Sequence, residues 1–315
     1  MSDGRNFRTL VGQRWPETLL CVGLDTDPKK ILRAVRHALV AQGYARDYSD
    51  EESVFGLNAA IIMATCDLVC AYKPNLAYYE GLGERGVSVL MRTCDFIKAN
   101  APPDVVIIGD GKRGDIGNSN AGYIKSVFDF YGMDAVTVHN YLGDKEGMDP
   151  FLDRADKGII VLCHTTNKGA DQFQHLVTLP AGTRINEIPE GMTAEDWLNY
   201  LSDESMQLYK RVAYHVSKDW NRNGNCAVVA GATYPEQLGE VRKIVGDDMP
   251  ILIPGIGTQG GDLERSVRNG VNSRGDGIII NASRSVLYAS DGLDFDRAAR
   301  AEAMRLRDEI NKYRR

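Results

Sequence analysis

Nowhere in this chain does a hydrophobic run approach the ~20 residues needed to cross a bilayer, so no membrane span is expected. The amino terminus, Met1 to Gln13, is polar and carries no apolar stretch of signal-peptide length, which points to a cytoplasmic protein. An excess of basic residues is also missing. Lysine and arginine number 37 against 43 aspartates and glutamates, and the formal net charge of -6 argues against binding nucleic acid through phosphate neutralisation. A small anionic substrate held in one local basic pocket remains compatible with that balance. Cysteine is sparse: the six residues Cys21, Cys66, Cys70, Cys94, Cys163 and Cys226 sit mostly in apolar segments, and none makes a closely spaced zinc-ligand pair. They read as buried, reduced thiols, and no metal is expected.

What is present is an ordinary globular composition, 43% hydrophobic and 25% charged, on 315 residues, enough for two average domains or one large barrel. Repetition decides between them. Apolar, β-rich runs recur at Leu19–Leu24, Leu68–Tyr72, Val105–Gly109, Ala135–Val138, Gly158–Cys163, Cys226–Ala230, Ile251–Ile253 and Gly277–Ile280. Between most of them lie helix-length segments with three-to-four-residue apolar spacing, such as Leu57, Ile61, Met63 and Ala64. Eight such units predict a single α/β domain over 1–315, a closed (β/α)8 TIM barrel, and near-continuously apolar strands suit a parallel sheet buried on both faces. Extended loops are expected after strands 1 and 5. The first carries a charged amphipathic helix, Pro28 to Val40; the second runs from Thr165 to about Met192, and Thr193 with Asp196 then starts a helix carrying Trp197, Leu201, Leu208, Val212 and Val216.

In a barrel the chemistry sits where strands run out at their carboxyl ends, so the polar residue closing each apolar run is informative. The third run is closed by Asp110-Gly111-Lys112-Arg113-Gly114-Asp115, two acids and two bases within six residues. Alternation along a strand points Asp110 and Lys112 the same way. Carboxylates keep a partly buried lysine protonated and the lysine keeps them ionised, so the cluster supplies a proton donor and a fixed negative field. A surface ion-pair turn is the plainer alternative, but surface turns rarely follow five apolar residues so abruptly. The seventh and eighth runs end in Pro254-Gly255-Ile256-Gly257-Thr258-Gln259-Gly260-Gly261 and Ser283-Arg284, where free backbone N–H groups and a guanidinium suit a phosphate. His139 and His164, closing the fourth and fifth runs, read as hydrogen-bonded wall residues, since neither has a nucleophile beside it.

The combination of Asp25, Ala71-Tyr72-Lys73-Pro74-Asn75, the Asp110–Gly117 run, the Pro254–Gly261 run and Ser283-Arg284-Ser285 resembles orotidine 5′-phosphate decarboxylase, in its longer bacterial branch. The resemblance implies a homodimer that converts orotidine 5′-monophosphate to uridine 5′-monophosphate and carbon dioxide in pyrimidine biosynthesis, with no cofactor and no metal. It implies a catalytic tetrad of Lys73, Asp110, Lys112 and Asp115, with Asp115 reaching into the partner subunit's site and Lys112 protonating C6. Asp25 and Lys73 would bind ribose, Thr166 the pyrimidine, and Gln259 and Arg284 the phosphate, with Gly255, Gly257 and Ser283 beside them and Pro254 lining the pocket. Ser119 would add a near-substrate hydroxyl. His164 and Thr166 depart from the arginine and serine common near strand 5, and His139-Asn140 is also less usual, which bears on base recognition. Two other readings fit less of the motif set: a magnesium-dependent phosphosugar decarboxylase or synthase of the same superfamily, and a non-catalytic phosphate-ligand-binding barrel.

Overall fold

The structure is a computed structural model and describes residues 4–257 and 260–314. All eight apolar runs form strands: β1 Leu20–Leu24, β2 Ala71–Pro74, β3 Val106–Arg113, β4 Ala135–Val138, β5 Gly158–His164, β6 Cys226–Ala230, β7 Ile251–Ile253 and β8 Ile278–Ala282. They close into one barrel in which each strand pairs in parallel with its neighbour in sequence and β8 returns to β1. The chain is therefore a (β/α)8 TIM barrel, with helices between strands. Closure explains the composition of the runs, because a strand enclosed by helices outside and side chains inside has no solvent face to make polar. Phe7, on the amino-terminal helix Phe7–Arg14, packs against Gly158 at the start of β5, where an added Cβ would meet the Phe7 ring at 2.6 Å.

Three local expectations change. β3 does not stop at Gly109 but continues through the charged cluster to Arg113, with a register shift against β4 between Gly109 and Arg113. Asp110 and Lys112 are strand residues, in keeping with the alternation argument and not with the surface-turn alternative. The helix expected from Pro28 to Val40 divides into a short 3-10 turn, Pro28–Lys30, and a helix over Arg33–Ala41. The helix begun by Thr193, whose hydroxyl oxygen accepts from Asp196 N–H at 3.1 Å, ends at Glu204. A second helix over Leu208–His215 carries Leu208 and Val212, while Val216 begins the π-helical turn Val216–Trp220. Between the two helices, Met206–Gln207 pairs antiparallel with Val177–Thr178, so the long segment after β5 folds back onto the barrel instead of hanging free. No helix among the described residues is long and apolar enough to cross a membrane.

Candidate active site

The carboxyl ends of the strands surround a cavity of about 660 Å³. Asp25, Lys73, Asp110, Lys112, Thr166, Pro254, Gly255, Ser283 and Arg284 all line it, so residues distant in sequence meet there. Asp115, Ser119 and Gly257 do not line it, and Gln259 lies outside the described residues.

The charged residues form a chain with Asp110 at its centre. Lys73 Nζ donates to Asp110 Oδ2 at 2.7 Å and Lys112 Nζ to Asp110 Oδ1 at 2.6 Å. Asp25 Oδ1 lies 3.9 Å from Lys73 Nζ, and this buried oxygen accepts no hydrogen bond among the described residues. The two lysines differ in access. The Lys73 side chain is 4% exposed, that of Lys112 50%, so Lys73 is sunk in the floor while Lys112 faces the cavity. Burial pushes the Asp110 carboxyl upward, but Lys73 and Lys112 outweigh it and hold the group well below the usual carboxylate range. Burial likewise favours a neutral Lys73, yet Asp110 and Asp25 raise it above its ordinary value, so both partners remain charged at neutral pH.

The backbone at this point is strained. Lys112 has φ 46°, the only non-glycine residue in the left-handed region among those described, where an L-residue's Cβ crowds its own carbonyl. Thr137 on β4 holds it there: its Oγ1 accepts from Lys112 N–H at 3.0 Å, and its hydroxyl donates to Asp110 Oδ1 at 3.1 Å. Thr137 thus couples the aim of the lysine to the charge of the aspartate. Sequence reasoning missed it, although a lone hydroxyl inside the run Ala135-Val136-Thr137-Val138 was the available signal. Downstream, Asp115 N–H donates to Asn120 Oδ1 at 2.9 Å, and Asp115 forms no ion pair among the described residues.

Opposite the charges, β7 and β8 bring in the glycine-rich loop and Ser283-Arg284. Gly255 and Gly257 have φ 102° and 85°, values that exclude most side chains, and Gly261 N–H closes the loop on Gly255 C=O at 3.1 Å. Asn281, which also lines the cavity, donates through Nδ2 to Ser283 Oγ at 3.2 Å.

Behind the cavity, at the ends of β4 and β5, the packing is aromatic. His139 Nε2 is hydrogen-bonded to Gly114 C=O at 3.0 Å, and His164 Nε2 lies 2.8 Å from His175 Nε2 with the Tyr209 and Tyr234 rings against it. Burial, reinforced by His175, pushes His164 down to about 4, so it is neutral at pH 7; contrary to the expectation of wall residues, neither His164 nor His139 lines the cavity. The long segment after β5 contributes Gln174, whose Oε1 accepts from Thr165 N–H at 2.9 Å and whose Nε2 donates to Thr165 Oγ1 at 2.7 Å. Both residues line the cavity beside Thr166. Gln174 could not be found from sequence, because only the fold-back of its loop brings it there.

Comparison with known proteins agrees with this geometry. Residues 18–295 match the model of the orotidine 5′-phosphate decarboxylase / HUMPS family. The orotidine 5′-phosphate decarboxylase of Azoarcus sp. is 40% identical over 311 residues, covering 98% of this chain and all of that one. Among solved structures, Leishmania donovani OMP decarboxylase superposes with a TM-score of 0.72 at 29% identity, over 98% of this chain and 99% of the other. Leishmania donovani UMP synthase gives 0.75 at 31%, and there this chain spans only 57% of the longer protein.

Proposed function

The chain belongs to the orotidine 5′-phosphate decarboxylase / HUMPS family, and from that premise we propose that it decarboxylates orotidine 5′-monophosphate to uridine 5′-monophosphate. The observation that carries the reading is the Lys73–Asp110–Lys112 chain set on the wall of a cavity whose far side offers Arg284 and the glycine-rich loop. The phosphate is held by Arg284 and by backbone N–H groups near Gly255. Ribose hydroxyls meet Lys73 and the unpartnered Asp25 oxygen, and the pyrimidine lies toward Thr166. The C6 carboxylate is thereby placed at Asp110.

The bond from C6 to the carboxylate breaks, its electron pair stays on C6, and the Lys112 ammonium delivers a proton to that carbon as carbon dioxide leaves. A fixed cation beside the developing carbanion lowers the barrier twice, by its field and by its proton. Asp110 keeps Lys112 in place, and its own negative charge opposes the bound carboxylate in the ground state more than in the transition state. No cofactor takes part in this scheme.

Asp115 belongs to the same scheme through a second copy of the chain. It lies outside its own cavity, and beside it are the exposed apolar residues Ile116 and Leu142 together with Tyr141, 88% exposed. Asn120 ties the two segments together, receiving Asp115 N–H and donating to Glu146 and Gly147 carbonyls. A two-fold contact on this face carries Asp115 toward the other protomer's lysines.

The test is purified protein with orotidine 5′-monophosphate in excess chelator, followed by ultraviolet absorbance and nucleotide chromatography. Loss of substrate absorbance with equimolar uridine 5′-monophosphate is expected. No conversion, whether in chelator or with magnesium restored, overturns the reading.

A further inference from the structure

Behind the proposed phosphate site lies a polar line that none of the roles above uses. Cys21 on β1 is paired in register with Asn281 on β8, and its Sγ donates to Asn281 Oδ1 at 3.5 Å. Asn281 Nδ2 donates in turn to Ser283 Oγ at 3.2 Å. Cys21 is fully buried and Asn281 nearly so, while Ser283 lines the cavity next to Arg284. The packing is tight enough to need Gly23: a Cβ there would lie 2.0 Å from Ser283 Oγ and 3.0 Å from Asn281 Oδ1.

Hydrogen-bond directionality gives this line a sense. Burial pushes the Cys21 thiol well above its ordinary value, so it stays an S–H group, and Asn281 Oδ1 is its one hydrogen-bond partner among the described residues. A carboxamide whose oxygen faces a donor must turn its NH₂ the other way, toward Ser283. The Ser283 oxygen is then occupied as an acceptor, and its own hydrogen is left to point into the cavity. We propose that Cys21 and Asn281 are positioning residues that make Ser283 an obligate hydrogen-bond donor to the substrate's phosphate. Swapping the amide ends would set NH₂ against the thiol and let Ser283 donate to the amide instead, taking its hydrogen away from the ligand. The inference rests on the phosphate assignment given above.

The test uses binding of uridine 5′-monophosphate and of uridine to the full-length protein by calorimetry, with a double-mutant cycle between Asn281→Ala and Ser283→Ala. Each single change is expected to weaken uridine 5′-monophosphate about tenfold, in line with one hydrogen bond to a charged group, and to leave uridine unchanged. The double variant should be no weaker than Ser283→Ala alone. Cys21→Ser, which keeps the donor, should bind like the wild type, whereas Cys21→Ala should lose affinity for the nucleotide alone. Additive losses in the cycle, or equal losses for uridine, overturn the relay. If the wild-type protein fails to decarboxylate, the functional reading fails first; if it turns over normally and the cycle is additive, only the relay is wrong.

Discussion

Two clusters of titratable side chains close neighbouring parts of the barrel, and they solve burial in opposite ways. At β2 and β3, Lys73, Asp110 and Lys112 neutralise one another through contacts of 2.7 and 2.6 Å, and Asp110 and Lys73 shift so as to remain charged. At β5, His164 meets another imidazole and two tyrosine rings, and shifts so as to remain neutral. Groups of opposite sign can keep a strong field in a low-dielectric floor because each supplies the other's missing solvation. Groups of the same kind cannot, and they give up their charge and serve as packing. The first region lines the cavity and keeps a field there; the second lies behind the cavity lining, where neutral rings pack on one another.

Removing the cavity-facing charge is the most severe way to break this division. Lys112→Ala should lower kcat by about 10³-fold or more, since both the proton and the field are lost, while the fold is retained because Lys112 is half exposed. Mixing that variant with Asp115→Ala should restore activity to about one quarter of the sites if each site draws on both protomers of a two-fold dimer. Failure of mixed samples to exceed the separate variants contradicts the sharing.

Asp110→Asn attacks the compensation itself. It strands Lys73, almost fully buried, with Asp25 at 3.9 Å as its remaining carboxylate, and should cost about 3–5 kcal/mol in denaturant unfolding. An unchanged midpoint would mean that the two charges are not mutually dependent.

The histidine region should show itself in acid, with a smaller effect. The folded value of His164 lies below its unfolded one, so its contribution to stability is complete above about 6.5 and is lost as pH falls toward about 4, on the order of 3 kcal/mol. Asp110, also depressed, keeps its contribution until pH falls below the ordinary carboxylate range near 4. Equilibrium unfolding across pH 3–8 should therefore decline in two stages, and His164→Gln should flatten only the upper one. A single stage, or one insensitive to that substitution, would contradict the assignment.

The eight strands were legible in the sequence because parallel strands buried on both faces leave uninterrupted apolar runs, each closed by a polar residue. The strand-end rule then brought Asp25, Lys73, Asp110, Lys112, Thr166, Pro254, Gly255, Ser283 and Arg284 to one cavity. What escaped depends on tertiary pairing. β3 runs on through its charges because Thr137 and the shifted register with β4 accommodate Lys112 at φ 46°, and a hydrophobicity pattern registers only the end of apolar residues. The helix after Thr193 breaks because Met206–Gln207 is recruited to pair with Val177–Thr178, a contact across nearly thirty residues with no periodic signature. Gln174 was invisible for the same reason, since its place in the cavity depends on which elements fold against it.

The pH dependence of kcat at saturating orotidine 5′-monophosphate bears most directly on the contrast between the two clusters. If chemistry runs on groups whose charge is fixed by their neighbours, kcat stays flat from about pH 6.5 to 9, because neither Asp110 nor Lys73 titrates there and His164 is already neutral. An inflection within that window that disappears in His164→Gln would place the working proton on His164 and contradict the account.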